Sequence, residues 1–222
     1  MIKGVILDMD GTLIDTEHLS ILAWDYAGEK MGVGKAGFMV PRVIGYSTEN
    51  ANEIIRRQFG NDFNIKKFRK IKCDYAVRWM RKNPPDLKPG AIELLDYLDA
   101  NSIPYAIATS TQIKYARQRL KKAGLFKRFG KRVIGGDMVS NGKPDPEIFD
   151  KARSLIGISR DECIVVEDSP AGAKGAHDGG YRVVLVPDLS RPDEKTLESM
   201  WHVLDSLEQL PAIIDKENNN EQ

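Results

Sequence analysis

Cysteine is scarce: Cys73 and Cys163 are the only two in 222 residues. They lie far apart without metal-ligand spacing, which excludes a disulfide framework and a structural zinc site and leaves them as reduced, packed thiols. The stretch Met1 to Leu7 carries one lysine and a short apolar run that ends at Asp8, so neither a signal peptide nor a membrane span is expected there. A cytoplasmic protein, with no membrane partner, is the expectation. No Gly-x-Gly-x-x-Gly follows the first apolar run and no P-loop pattern occurs, which disfavours dinucleotide binding and P-loop nucleotide chemistry. Net charge is also nearly absent, at +1, so there is no global pull towards nucleic acid or anionic lipid.

What is present is the composition of a globular protein, 41% hydrophobic and 29% charged, with enough chain for one substantial core and a smaller domain. Charge is unevenly spread: Asp74 is the only acid between Lys66 and Lys82, and none occurs from Ile113 to Gly136. Solvated helix faces are the first reading of these stretches, attraction of an anionic substrate the second, and nucleic-acid binding a distant third.

Five short runs rich in Val and Ile read as strands: Gly4 to Leu7, Tyr105 to Ala108, Arg132 to Ile134, Cys163 to Val166 and Arg182 to Val186. Helix-period stretches alternate with them, as in Ala91, Leu94, Leu95 and Leu98. The pattern predicts an α/β fold, a mostly parallel sheet with helices on both sides. About 95 residues separate the first two strands, far more than a βα unit needs. Helical periodicity fills that gap, so we expect an inserted helical domain over about residues 17–83, leaving residues 1–16 and 84–215 for the core. Asn83, Pro84 and Pro85 form a stiff exit from the insertion, and the polar stretch from Lys216 to Gln222 reads as a flexible tail.

In an open parallel sheet ligands bind at the carboxyl ends of the strands. The first strand ends in Asp8-Met9-Asp10-Gly11-Thr12, the second in Thr109-Ser110-Thr111 and the fourth in Glu167-Asp168-Ser169, while Gly142-Lys143-Pro144 follows the third. Four carboxylates confined together repel unless a cation or protons intervene, and hard oxygen donors suit Mg²⁺. A divalent cation, a lysine and hydroxyls facing one point match the needs of phosphoryl transfer, which rests on positioning and charge neutralisation. Asp8, at the strand tip, is placed to attack phosphorus, and Asp10, in the Gly11 turn, to move protons.

In order and spacing, Asp8 to Glu17, Thr109, Gly142-Lys143-Pro144 and Glu167-Asp168-Ser169 resemble the four motifs of the haloacid dehalogenase-like phosphohydrolases. The resemblance spans about residues 1–187 and implies a Rossmann-like core whose helical cap, inserted after the first strand, closes over the site. It implies that Asp8 is nucleophile and metal ligand, and that Asp10 is the acid/base, with its backbone carbonyl on the metal. Thr109 and Ser110 would hold phosphoryl oxygens beside the Gly11 turn, Lys143 would neutralise charge, and Glu167 and Asp168 would complete the Mg²⁺ site. Asp10 itself argues for phosphoryl transfer over carbon–halogen chemistry, since true dehalogenases lack it. The β-phosphoglucomutases share Asp15-Thr16 and Ala23-Trp24, but Ser20 and Thr48 replace their histidine and cap arginine. Hydrolysis of a small phosphorylated metabolite is therefore expected ahead of a phosphosugar mutase, and both ahead of a nucleic-acid-binding protein with a vestigial site.

Other residues carry structural readings. Ser169 before Pro170 reads as a helix N-cap, and His18, Trp24, Tyr75 and Trp79 as cap or packing residues. Asp15 and Glu17 stand where the chain enters the insertion, and a hinge role is favoured over a substrate contact. Tyr46, Thr48 and Asn50 follow Gly45 in a loop that would face the core and sort substrates. Oligomeric state is not legible in the sequence, whether monomer or weak homo-oligomer.

Overall fold

The computed structural model describes residues 1–190 and 192–220. The chain begins with β1 (Gly4–Leu7), followed by helices α1 (Glu17–Lys30), α2 (Val40–Val43), α3 (Thr48–Phe59), α4 (Ile65–Lys82) and α5 (Ala91–Ala100). Strand β2 (Tyr105–Thr109), helices α6 (Ile113–Lys122) and α7 (Phe126–Phe129), and β3 (Val133–Gly135) come next. Then α8 (Glu147–Ile156), β4 (Cys163–Glu167), α9 (Pro170–Asp178), β5 (Arg182–Leu185), α10 (Glu194–Glu198), β6 (His202–Val203) and α11 (Leu210–Asn220) complete the order.

The six strands form one parallel sheet in the order β3-β2-β1-β4-β5-β6. Successive side chains on a strand face opposite sides, so a parallel strand must be apolar throughout. β1 shows this: Val5 and Leu7 join the layer formed with α5, α6 and α11, while Ile6 joins the layer formed with α8 and α9. The order turns outward in both directions from β1, which places a crevice at the carboxyl ends of β1 and its neighbours. Strand β6 was not expected, because two residues are too short to show periodicity; its pairing with β5 defines it.

Helices α1–α4 fill the chain between β1 and β2 and pack around apolar clusters of their own. Phe68 of α4 is fully buried and meets the edge of Trp24 of α1 with ring centroids 5.1 Å apart. Ser47 and Asn64 cap α3 and α4 by accepting from the backbone N–H groups of Asn50 and Lys67. The two connections to the sheet run side by side: Asp15 N–H donates to Asp86 O at 2.9 Å and Lys88 N–H to Leu13 O at 3.0 Å. On this pattern we propose that residues 17–83 form a cap and that residues 1–16 with 84–220 form the core.

The expected tail needs correction. From Lys216 to Asn220 the chain is the end of α11; Glu221 and Gln222 lie outside the described residues. Tertiary contacts outweigh the polar composition: Ile214 is buried, Glu217 pairs with Arg182 at 2.5 Å, and the Asn218 amide brackets the backbone of Ile2.

Because Phe68 anchors the helical cluster, Phe68→Ala should cost about 3–5 kcal/mol, the usual penalty for deleting a buried aromatic ring. Denaturant unfolding followed by Trp fluorescence measures it; a loss below about 1 kcal/mol would show that the cluster does not depend on this ring.

Candidate active site

Asp8 follows the last residue of β1, Thr109 ends β2, Glu167 ends β4 and Asp168 follows it, so parallel pairing alone brings four of the expected residues to one edge. Lys143 arrives from the loop after β3, is completely buried, and donates from Nζ to Asp8 Oδ1 (2.5 Å), Ala108 O (3.0 Å) and Glu167 Oε1. All three ammonium hydrogens therefore have acceptors. Asp168 accepts from Thr12 Oγ1 at 3.1 Å.

Asp8, Glu167 and Asp168, all buried, each present a carboxylate oxygen within 4.8 Å of the others. Three carboxylates against one ammonium leave two negative charges uncompensated in a desolvated site. Burial pushes the Asp8 carboxyl up to about 7 despite Lys143, with Glu167 adding to the rise. Burial, Asp8 and Glu167 hold Asp168 well above the usual carboxylate range. Burial opposes the Lys143 charge, but Asp8 and Glu167 outweigh it and raise its pKa. A hard divalent cation fits this donor set, since it supplies the missing charge and prefers oxygen ligands.

Two close approaches explain the glycines and small residues nearby. Gly11 has φ +93°, and a Cβ there would collide with the Asp168 carboxylate. The first turn of α9 lies over Glu167: a Cβ on Gly172 would overlap its carboxylate, and Ser169 Oγ donates to Glu167 Oε2 (3.0 Å) while accepting from Gly172 N–H. Ser169 is the helix cap read from the sequence.

Asp10 is turned elsewhere. Its carboxylate is not part of the three-acid cluster; it pairs with Arg119 of α6 and accepts from Thr111 Oγ1 at 2.8 Å and Thr109 Oγ1 at 3.5 Å. Arg119 was absent from the expected site and Thr111 was seen only as part of a strand end. A signal for Arg119 existed: with Ala116 and Leu120, both buried, it occupies one helix face at the i, i+3, i+4 spacing.

A cavity of about 840 Å³ lies between the helical insertion and the sheet edge, reached by Asp8, Asp10, Thr109, Ser110 and Asp168. Tyr46 and Thr48 also line it, whereas Asn50 does not. The expected substrate role for Asn50 therefore gives way to a tether, because its side-chain amide donates to Lys143 O (3.3 Å) beside the Ser47 N–H bond to the same carbonyl (2.9 Å). Ser110 Oγ donates to Gly45 O at 3.0 Å, so the hydroxyl ties the same loop to the core. His18 is exposed and takes no part.

At the neck, Lys88 pairs with Asp188 at 2.9 Å, and Asp15 Oδ1 accepts from Glu17 N–H. Glu17 Oε1 and Asp188 Oδ2 are buried without a donor, as two facing carboxylates must be until a proton is shared between them. Burial first, then the hydrogen bond and charge of Asp188, raise Glu17 to about 8.

Residues 2–180 match the family profile described as haloacid dehalogenase-like hydrolase. A probable pseudouridine-5'-phosphatase of Drosophila melanogaster is 34% identical over 200 residues, covering 86% of this chain and 84% of that protein. A phosphorylated carbohydrates phosphatase of Thermotoga maritima is 31% identical, covering 88% and 89%. Among solved structures, a hydrolase from Pseudomonas syringae superposes with a TM-score of 0.82 at 28% identity, covering 96% of this chain and 98% of that one. The chain belongs to the haloacid dehalogenase-like hydrolases. It is therefore an enzyme of a hydrolase family, as the four motifs led us to expect, and both of these curated relatives are named as phosphatases.

The facing carboxyls at the neck give a pH prediction. Glu17 has a folded pKa of about 8 against 4.5 when free, so the folded chain keeps a proton that the unfolded chain releases. Its contribution to stability is whole below 4.5 and is lost as pH rises through about 8. In Glu17→Gln the amide can donate to Asp188 at every pH. At pH 8.5 the variant should melt ~2–4 °C above the wild type, the shift that about 1 kcal/mol makes at this size once solvent screening is allowed for. Calorimetric melting of both proteins at pH 5.5 and 8.5 checks it; equal pH slopes contradict it.

Proposed function

We propose that the chain hydrolyses a small phosphate monoester in two steps through an aspartyl-phosphate on Asp8, with Mg²⁺ held by Asp8, Asp168 and Glu167 and by the Asp10 backbone carbonyl. The observation that carries this is the buried set of three carboxylates around the Lys143 ammonium, of which Asp8 and Asp168 line a cavity between helical insertion and sheet. The bound cation would neutralise charge on the phosphoryl oxygens and keep Asp8 ionised at neutral pH.

In the first step an Asp8 carboxylate oxygen forms a bond to phosphorus as the ester P–O bond breaks, and the departing oxygen takes a proton from Asp10. Lys143, locked by its three acceptors, orients Asp8 and offsets charge there. Thr109 and the Ser110 backbone hold a phosphoryl oxygen. In the second step Asp10 takes a proton from water, whose oxygen attacks the phosphorus; inorganic phosphate leaves and Asp8 is regenerated. Arg119 and Thr111 hold the Asp10 carboxylate between these transfers, and that pair must yield for Asp10 to reach the leaving oxygen.

Support comes from the phosphatases among its relatives and from the chemistry of the donors. A mutase would need the phosphoenzyme to outlast release and turning of its ligand. Ser20 and Thr48, both on the cavity wall, offer hydroxyls in place of the imidazole and guanidinium that the mutase motif carries.

Asp8→Asn should lower Mg²⁺-dependent phosphate release from p-nitrophenyl phosphate by at least about a thousandfold, since it removes the carboxylate that takes the phosphoryl group in this mechanism. Phosphate release assayed with Mg²⁺ and with chelator tests both parts. Wild-type rates in the variant, or turnover indifferent to the chelator, are incompatible with the mechanism.

A further inference from the structure

The cavity wall carries cations as well as acids. Arg69 and Lys72 of α4 and Arg119 of α6 all line it. Lys72 lies in the face of α4 between Phe68 and Ala76, four residues from each and both buried, so its stem is drawn inward. Its ammonium sits 5.2 Å from the ring centre of Trp24, also on the cavity wall. Among the described residues no carboxylate lies within ion-pair distance of Lys72 or Arg69. Arg69 instead donates to neutral oxygens, Asn52 Oδ1 (2.7 Å) and Thr48 O (3.0 Å). Lys70, one position away, differs: it faces Asp74 at 2.7 Å and is satisfied by it.

Resting on the phosphatase reading above, we propose that Lys72, Arg69 and Arg119 form a subsite for a second anionic group of the substrate, a carboxylate or a further phosphate, distal to the phosphoryl group that is cleaved. The preferred substrate class is then a phosphate monoester with an anion at its other end, which lies in the cavity between Asp8 and Lys72. Lys72 and Arg69 are half-buried, and a cation partly withdrawn from water without a counter-ion is held at a cost that a bound anion removes. That cost is visible at Lys72, which burial and the nearby charges of Arg69 and Arg119 lower to about 8, and at Arg69, which burial also lowers. The three cations come from both bodies: α4 belongs to the helical insertion and α6 to the sheet side. An anion between them therefore favours the two staying together around the substrate.

Pairs of substrates that differ only at the far end test this: 2-phosphoglycolate against ethylene glycol monophosphate, 4-phosphoerythronate against erythritol 4-phosphate, and 6-phosphogluconate against glucitol 6-phosphate. Each pair exchanges a carboxylate for a hydroxymethyl group at fixed length. For at least one length the carboxylate member should have a kcat/KM at least tenfold higher. Lys72→Met should remove most of that preference while changing the neutral member less than about twofold, and Lys72→Arg should keep it. Binding of the same pairs to Asp8→Asn with Mg²⁺, followed by calorimetry, should show the same ranking without turnover. Equal kcat/KM and equal binding within every pair would overturn the subsite, as would a Lys72→Met loss shared by both members. Failure of the phosphatase reading looks different: no turnover of any compound, with the binding preference intact.

Discussion

Three carboxylates face one ammonium inside the protein, and most of the architecture answers to that imbalance. Lys143 is fully buried between Asp8 and Glu167, while Asp168 stands within reach of both acids. Such a cluster is poor material for stability: apolar residues of similar volume often do as well or better, and removing one partner commonly costs about 3–5 kcal/mol. It persists because the backbone holds it. Asp8, Glu167 and Asp168 are fixed by adjacent paired strands, and Lys143 by a loop whose carbonyl is gripped by Ser47 and Asn50. The glycines at 11 and 172 leave room where any side chain would strike a carboxylate. The sheet thus keeps like charges closer than they would settle in solution, and the excess negative charge is what a divalent cation and a phosphoryl group can use.

The core and the gathering of Asp8, Lys143, Glu167 and Asp168 at one sheet edge were legible because both obey local rules. Short Val- and Ile-rich runs give buried parallel strands, and polar residues just after such runs must gather at one edge whatever the loops do. All five expected strands formed, with ends moved by a residue or so. What escaped was decided by pairing across the chain. β6 exists through β5, and the end of α11 is ordered by Ile2 and Arg182, so the polar composition after Lys216 misled. Asn50 lay in the right loop, but whether its amide faced the cavity or the Lys143 carbonyl depended on how that loop docks.

The basic stretches show the same limit from another side. Lys66 to Lys82 and Ile113 to Gly136 invited a reading as solvated helix faces, and for Lys70, paired with Asp74, that holds. Counting charge could not separate Lys70 from Lys72. Helix geometry could: position 72 shares the buried face with Phe68 and Ala76, as Arg119 does with Ala116 and Leu120. A cation on the apolar stripe of an amphipathic helix must either find an acid or wait for one. Arg119 has found Asp10, whereas Lys72 has no acid within ion-pair distance among the described residues.

That difference links the cations of the cavity wall to its acids. In the proposed mechanism Asp10 serves the leaving oxygen, yet it rests against Arg119, so whatever draws Arg119 away would also free Asp10. A substrate seated by its phosphoryl group at Asp8, with an anionic far end, would attract Arg119 together with Lys72. A monoester with a neutral far end would leave the Arg119–Asp10 pair undisturbed and meet an acid/base still engaged. Discrimination would then appear in the proton-transfer step as well as in binding, so that kcat as well as KM depends on a group remote from the bond being broken.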